Sequence, residues 1–184
     1  MQNKMARICW NTNDWKRPSG SNGKSTSKAT YEFIHGFGHE EWLFDFEKTI
    51  NGFHYGYLTP IRKSWGLYQG KTLNILLYTY NRNCENWYWV GWLRNAQVIT
   101  KAEAKEICRE YKQRGWLDTM RKEIIACGAN PADVDRIGIS FNIRFLPTDV
   151  TRANDGCELF SRNQIMDNKR YMLLNYASKF GMEK

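Results

Sequence analysis

The segment HGFGHEEWLF, residues 35–44, holds the densest group of side chains that could do acid–base or metal chemistry: His35, His39, Glu40 and Glu41. Metalloproteases with the motif H-E-x-x-H place both imidazoles on one face of a helix, where they meet the same ion. Here two glycines lie between the histidines, and that helical spacing is lost. We therefore expect no metal and no cofactor, and we favour a glycine-bent corner. A metal-dependent nuclease using His35 and His39 is the alternative.

A second segment with chemical potential is SGSNGKST, residues 19–26, whose end resembles a phosphate-binding P-loop. The P-loop pattern needs a glycine five residues before the glycine of GKS, and that position is Pro18 here. No amphipathic helix follows whose N-terminus could hold a phosphate. The segment therefore does not predict a nucleotide hydrolase. A loop rich in Gly, Ser and Lys could grip a phosphodiester backbone, or it could simply be solvated.

The third segment is NWYWVGW, residues 86–92, with three tryptophans in seven residues. Side chains alternate between the two faces of a strand, which places Trp87, Trp89 and Gly91 on one face and Trp92 on the other. We predict that Trp87 and Trp89 face a flat ligand, since Gly91 leaves room beside them, and that Trp92 lies in the core. The alternative is that all these rings are core residues.

Composition points to a class of partner. Lys and Arg number 27 against 19 acids, the net charge is +8, and eight residues are Trp. Cations meet phosphates and aromatic rings stack on bases, so this balance is typical of nucleic-acid-binding proteins. Six of the basic residues and a single acid fall within residues 1–30. A basic protein with a large aromatic core would have the same composition.

Other classes receive no support from the sequence. No apolar run approaches the ~18 residues of a membrane span, and the N-terminus lacks the apolar stretch of a signal peptide. The five cysteines are scattered and form no C-x-x-C pair, which predicts reduced thiols in the cytoplasm. We expect no membrane partner.

Periodicity predicts one α+β domain over 1–184, with a core at about 5–178. Asn51-Gly52 fits a type I′ hairpin turn, and Thr100 with Glu103 forms a capping box ahead of a helix that Gly115 stops. A second helix covers about 117–127, and loops cover 12–28 and 148–169. The predicted strands are 6–11, 42–50, 53–58, 72–80, 86–99, 137–146 and 171–177. This order suggests a strongly bent antiparallel sheet or small β-barrel with a helical pair.

The segments RICWN, WKRPSG, GFGHEEWLF and GFHYGYL, together with this order of elements, give the chain a resemblance to a known group. It resembles the PUA-like superfamily of EVE, YTH and SRA-type domains, and in particular the N-terminal recognition module of modification-dependent restriction endonucleases. The resemblance implies a PUA-like fold that reads a modified base in double-stranded DNA, by flipping it into an aromatic cage. No nuclease motif is present, which implies a recognition domain with its nuclease domain elsewhere in a longer protein.

The candidate site residues follow from this interpretation. The cage would be drawn from the tryptophans, the base edge would be read by polar side chains, and cations of the polar loop would meet phosphates. The base-binding candidates are Trp10, Asn11, Trp15, His39, Trp42, Trp87 and Trp89, and the phosphate-binding candidates are Lys16, Arg17, Ser19, Lys24, Lys28 and Arg94. An RNA-binding PUA-like module would use the same groups on unpaired bases.

Overall fold

The computed structural model describes residues 1–137, 140–153, 156–160 and 173–176. Within them the chain has a mixed α/β architecture, with a large, open, mostly antiparallel sheet and several helices. The predicted combination of an antiparallel sheet with helices is confirmed at this level. No helix among these residues is both long enough and apolar enough to cross a membrane.

Nine strands of the described residues form one sheet, in the order β2-β3-β6-β5-β4-β1-β9, with β7 and β8 also paired to β5. β1 runs parallel to β4, and the other strand pairs of the described residues are antiparallel. The strands are β1 Gln2–Arg7, β2 Thr49–Ile50, β3 Phe53–Gly56, β4 Thr72–Asn81, β5 Asn86–Val98, β6 Ile143–Phe145, β7 Val150–Arg152, β8 Glu158–Phe160 and β9 Leu174–Asn175.

The helices lie before, between and after these strands. α4 and α5 form the predicted helical pair, while α1, α2, α3 and α6 are short. The α-helices are α1 Tyr31–His35, α2 Thr59–Arg62, α3 Trp65–Tyr68, α4 Lys101–Gln113, α5 Trp116–Ala126 and α6 Ala132–Ile137, and 3-10 helices cover His39–Trp42 and Pro147–Asp149.

Neighbouring residues define the β2–β3 hairpin and the start of α4. Asn51 and Gly52 both have positive φ, 51° and 80°, as a type I′ turn requires, and they join β2 to β3. The hydroxyl of Thr100 accepts a hydrogen bond from the backbone N–H of Glu103 at 3.1 Å, which caps α4 as predicted. The carboxylate of Glu103 instead binds Arg144 at 2.8 Å, so it tethers α4 to β6.

β5 contains a bulge that the sequence pattern did not predict. Trp89 pairs with Tyr78 and Gly91 pairs with Leu77, which leaves Val90 without an opposite residue. An extra residue of this kind shifts the alternation by one position. Trp92 therefore lies in the same aromatic cluster as Trp87 and Trp89, and the prediction that Trp89 and Trp92 lie on opposite faces is wrong.

The requirement for glycine at position 91 also has a different reason from the one predicted. A Cβ atom there would lie 2.4 Å from the carbonyl oxygen of Thr151 in β7. The missing side chain therefore makes room for a neighbouring strand. It does not make room for a flat ligand.

Four element predictions were wrong at least in part. Residues 42–50 are not a strand but the end of a 3-10 helix, turns and the short β2. β1 covers Gln2–Arg7 and shares only residues 6 and 7 with the predicted strand 6–11, and the predicted loop 148–169 contains β7 and β8. Of the predicted strand 137–146, Ile137 belongs to α6, residues 140–142 are irregular, and β6 covers Ile143–Phe145; residues 138 and 139 lie outside the described residues. The predicted strand 171–177 is described at 173–176 alone, where it forms β9, and residues 161–172 lie outside the described residues.

Alternate residues of β4 fill two different cores. Ile75 and Leu77 belong to the central apolar cluster, whereas Leu76 and Tyr78 belong to the aromatic cluster on the opposite face, with Trp87 and Trp92. A third cluster joins α4 and α5 to the rings around β3. Both faces of the sheet centre are thus apolar, which explains why β4 and β5 lack the polar alternation of a half-exposed sheet.

Candidate nucleic-acid site

A buried carboxylate, Glu41, joins the polar loop 12–28 to the 3-10 helix His39–Trp42. One oxygen accepts from the ammonium of Lys24 at 2.5 Å and from the N–H of Gly38 at 2.8 Å. The other accepts from the amide of Asn11 at 2.6 Å and from the N–H of Ser19 at 2.9 Å. Both charges of the ion pair are essentially inaccessible to solvent. The loop is therefore held in place by one acceptor that satisfies donors from several segments.

Gly38 allows this 3-10 helix to approach β1. A Cβ atom at Gly38 would lie 2.6 Å from the sulfur of Cys9. Just before it, α1 ends at Gly36, whose φ is 80° and whose N–H donates to the backbone carbonyl of Glu32. The glycine-bent corner predicted for this segment is confirmed, and it aims His35 and His39 at the same space.

That space is a cavity of about 900 Å³ bounded by α1, the 3-10 helix, the end of β3 and α2. Four rings line it. Tyr31 stacks on His35 with centroids 4.3 Å apart, and it meets the edge of His39 at 5.0 Å. His39 in turn lies 5.2 Å from Tyr57. The result is a continuous wall of flat groups.

A hydrogen-bond relay orients the two central rings. The Tyr31 hydroxyl lies 2.9 Å from Nε2 of His39, and it also hydrogen-bonds to the carboxylate of Asp133. A carboxylate only accepts, so Tyr31 donates to Asp133 and accepts from Nε2–H of His39. Nδ1 of His39 is then the unprotonated nitrogen, and it is buried without a hydrogen-bond partner among the described residues.

Burial controls the charge of these groups. It lowers the pKa of His39 to about 4, against the opposing attraction of Asp133. Burial, reinforced by Asp133, raises the pKa of Tyr31. Burial and the nearby Glu40 raise the pKa of Tyr57 to about 12. Tyr31, His39 and Tyr57 are therefore neutral at physiological pH.

Acidic and basic side chains surround these rings. Glu40 is buried and accepts from the hydroxyl and the N–H of Thr59, and burial raises its pKa. Arg62 and Lys63 are exposed and also line the cavity. The cavity thus has acceptors inside and cations at its border with solvent.

The structure separates the predicted base-binding residues. His39 lines the cavity, but the buried Trp15, Trp42 and Asn11 do not. Trp15 donates to the carbonyl of Cys9 at 3.0 Å, Trp42 donates to Glu123 at 2.6 Å, and Asn11 caps the turn that follows it. These three side chains make hydrogen bonds within the protein, away from the cavity, and their part in base binding stays a prediction.

The other predicted cage tryptophans do not line the cavity either. Trp87 is only 6 % exposed, and its ring lies under the guanidinium of Arg7, 5.0 Å away. Trp89 is partly buried in the same aromatic cluster. Trp10 is partly buried against Tyr88, with centroids 5.2 Å apart. The tryptophans are therefore not brought together into one cage.

The predicted phosphate-binding residues divide in the same way. Lys16, Arg17 and Lys28 are exposed, as expected. Lys24 is buried in its ion pair with Glu41, and Ser19 directs its N–H and hydroxyl to the same carboxylate, so neither presents a donor to solvent. Their part in phosphate binding stays a prediction, which the contacts with Glu41 do not support.

Two of the exposed cations lie away from the cavity. Lys16 and Arg17 line a separate open cleft that also contains acids, among them Asp14, Glu47 and Glu123. Acids beside the cations weaken the attraction of this cleft for a polyanion.

One further predicted cation is also turned towards protein. The guanidinium of Arg94 lies 4.3 Å above the ring of Trp92. Its position fits a cation–π contact with the aromatic cluster.

Sequence reasoning missed Tyr31, Tyr57, Arg62, Lys63 and Asp133. Asp133 and Tyr31 are about a hundred residues apart in the chain, and no local pattern joins them. Tyr57 belongs to GFHYGYL and Tyr31 precedes HGFGHEEWLF by a few residues. The position of these two tyrosines beside the histidine segment was the signal that could have identified them. The prediction relied on the tryptophan-rich strand instead.

No three His, Cys, Asp or Glu side chains among the residues described are arranged to hold a metal ion. Comparison with protein-family models, curated proteins and solved structures finds no match to this chain.

The lowered pKa of the half-buried His39 predicts a pH dependence of stability. Unfolded His39 binds a proton near its ordinary pKa of 6.5, whereas folded His39 binds one only near 4. The free energy of unfolding should therefore fall as pH drops from about 6.5 towards 4, with a slope of up to ~1.4 kcal/mol per pH unit from this group. Urea unfolding of wild type and His39→Gln at several pH values measures it, and the variant should show a shallower decline.

Glu40 changes the free energy of unfolding with pH in the opposite direction in the same experiment. Its folded pKa is raised, so its contribution to stability is lost as pH rises through that value. It is present in both proteins, and the difference between wild type and His39→Gln isolates the histidine. Parallel curves for the two proteins would contradict the assignment.

Proposed function

We propose that this chain is a DNA-binding domain that reads a modified base, which it takes from the duplex into the cavity between α1 and the 3-10 helix. The observation that carries the proposal is the continuous wall of rings formed by Tyr31, His35, His39 and Tyr57. Base-flipping proteins hold the extruded base between flat side chains and hydrogen-bond its edge. The chain itself performs no catalysis in this proposal.

The dimensions of the cavity support a ligand larger than water or an ion. Its volume of about 900 Å³ lies at the upper end of the ~300–1,000 Å³ of small-molecule sites. Asp133 and Glu40 supply acceptors next to the rings, and Arg62 supplies donors. A flat heterocycle with both donors and acceptors on its edge, and with an added substituent, matches this lining.

Charge supports a polyanion as the source of the base. The chain carries +8, and the exposed Arg62 and Lys63 border the cavity. Lys28 is exposed one residue before Ala29, which also lines it. Phosphates on either side of an extruded nucleotide would meet these cations, and affinity should fall with salt at roughly −0.9 in log–log slope per neutralised phosphate.

The resemblance to PUA-like domains also bears on the fold, the location and the wider role of the chain. We infer a PUA-like fold, a location in the cytoplasm, and a role as the recognition part of a restriction system, with a nuclease domain in the full-length protein. All five cysteines are free thiols, which suits a reducing compartment.

The test is binding to short duplexes that carry each modified cytosine or adenine, at fixed salt, with two variants at one position. Tyr31→Leu removes the ring and should cost about 1–3 kcal/mol of binding free energy for the preferred base. Tyr31→Phe keeps the ring, loses only the hydroxyl, and should cost less. Fluorescence anisotropy measures both.

The matched control is Phe53→Leu. Phe53 is a partly buried ring on β3, it lies under Arg144 at 4.8 Å, and it does not line the cavity. It should leave the preference among bases unchanged. Equal losses for all duplexes with Tyr31→Leu, or no preference by wild type, would refute base reading. Tighter binding to single-stranded RNA than to any duplex would favour the RNA-binding alternative.

A further inference from the structure

A second, smaller cavity adjoins the first. It measures about 60 Å³ and is lined by Arg7, Trp10, Gly23, Ser25, Glu32 and Arg82, among others. Glu32 lines the large cavity as well, so the two share a wall. The small cavity lies at the C-terminal ends of the parallel strands β1 and β4, beneath the Gly- and Ser-rich loop that resembled a P-loop.

The loop is fixed in place over this cavity. The N–H of Arg82 donates to the carbonyl of Gly23 at 2.9 Å, and the amide of Asn83 donates to Asn22 at 2.6 Å. A Cβ atom at Gly23, where φ is 74°, would lie 2.5 Å from the indole of Trp10. The lining is therefore largely preformed, which reduces the entropic cost of binding a ligand there.

The charge of the lining suits an anion. Lys24 is neutralised by Glu41. Of the remaining charged residues that line the cavity, two are guanidinium groups, Arg7 and Arg82, and one is the carboxylate of Glu32. Two guanidinium groups against one carboxylate favour an anion over a cation in this cavity. Ser25, whose oxygen accepts from Ser27 at 3.3 Å, still has its hydroxyl proton to donate.

We propose that this cavity is a phosphate subsite, in which Arg82 and Ser25 hold one phosphate of the bound strand while its base occupies the neighbouring large cavity. Arg7, whose guanidinium lies over the rings of Tyr80 and Trp87, adds a cation to the lining. The proposal rests on the proposed function for the strand, but the recognition of phosphate itself does not. Guanidinium groups bind phosphate oxygens through paired N–H donors, which gives both strength and orientation. The P-loop-like segment thus shapes a phosphate site through its backbone, while its lysine is committed to the core.

The first test uses inorganic phosphate and thermal unfolding, with sodium chloride at equal ionic strength as reference. At about five times its dissociation constant, phosphate should raise the unfolding midpoint of wild type by about 2–4 °C. Arg82→Gln should abolish the shift and Arg82→Lys should retain part of it. Arg17→Gln, the same change at an exposed arginine in the other cleft, should retain it fully.

The second test uses duplex DNA. Arg82→Gln should reduce the log–log salt slope by about one and weaken binding equally for every base, unlike Tyr31→Leu. No stabilisation by phosphate, an undiminished shift in Arg82→Gln, or an unchanged salt slope in that variant would overturn the subsite. A shift that depends on Arg82 in a protein that binds no DNA would retain the phosphate site and remove the proposed function.

Discussion

Replacing Glu41 by Gln should destabilise the protein by about 3–5 kcal/mol, because it leaves the buried ammonium of Lys24 without a counter-charge. The amide that replaces the carboxylate also turns donors towards donors, since Gly38, Asn11 and Ser19 all donate to Glu41. Urea unfolding at pH 7 measures the loss. The large cavity should open with it, because Glu41 holds the segment that carries His39.

Two further variants separate the ion pair from the rest of this network. Lys24→Met should cost less than Glu41→Gln, because Glu41 keeps four other donors. The double variant should be more stable than the sum of the two losses predicts, since no unpaired charge remains. The control is Glu110→Gln, which breaks an exposed pair with Arg114 on α4 and should change stability by less than ~0.5 kcal/mol. A Glu41→Gln protein as stable as the Glu110→Gln protein would contradict the role assigned to this carboxylate.

This network also explains an error of the sequence interpretation. Residues 42–50 alternate between apolar and polar side chains, which predicts that their acids face solvent. Asp45 is buried instead beside Lys48, and Glu41, just before the segment, is buried beside Lys24. A partner seventeen residues away in an irregular loop leaves no periodic trace, and the pattern could not distinguish a strand from a 3-10 corner.

Features set by neighbouring residues were predictable. The Asn51-Gly52 turn and the Thr100 cap depend on a few adjacent side chains, and both formed where predicted. The site depends on long-range neighbours: Asp133 of α6 acts on Tyr31 of α1, about a hundred residues earlier in the chain. His39 was found because it lies in an unusual motif, whereas its partners were not.

The packing of the tryptophan-rich strand β5 could not be predicted from its local pattern either. Truncation of its tryptophans is the second change with a large expected effect on stability. Trp92→Ala and Trp87→Ala should each cost about 3–5 kcal/mol of stability, as truncation of a core tryptophan does. Both rings are nearly inaccessible, 2 % and 6 % exposed. The bulge at Val90 places them in one cluster, so the two variants should behave alike. Strict alternation would have made one of them core and the other a ligand contact.

Binding measured on the same proteins completes the test. Under conditions where Trp87→Ala and Trp92→Ala remain folded, each should keep the preference of wild type among modified bases, because neither ring lines the large cavity. Tyr31→Leu should do the reverse, losing preference with a smaller loss of stability, since Tyr31 is only partly buried. If Trp87→Ala instead stays as stable as wild type and loses its preference, the ligand lies on the tryptophan face. Recognition would then belong to the sheet, and the cavity between α1 and the 3-10 helix would have no part in it.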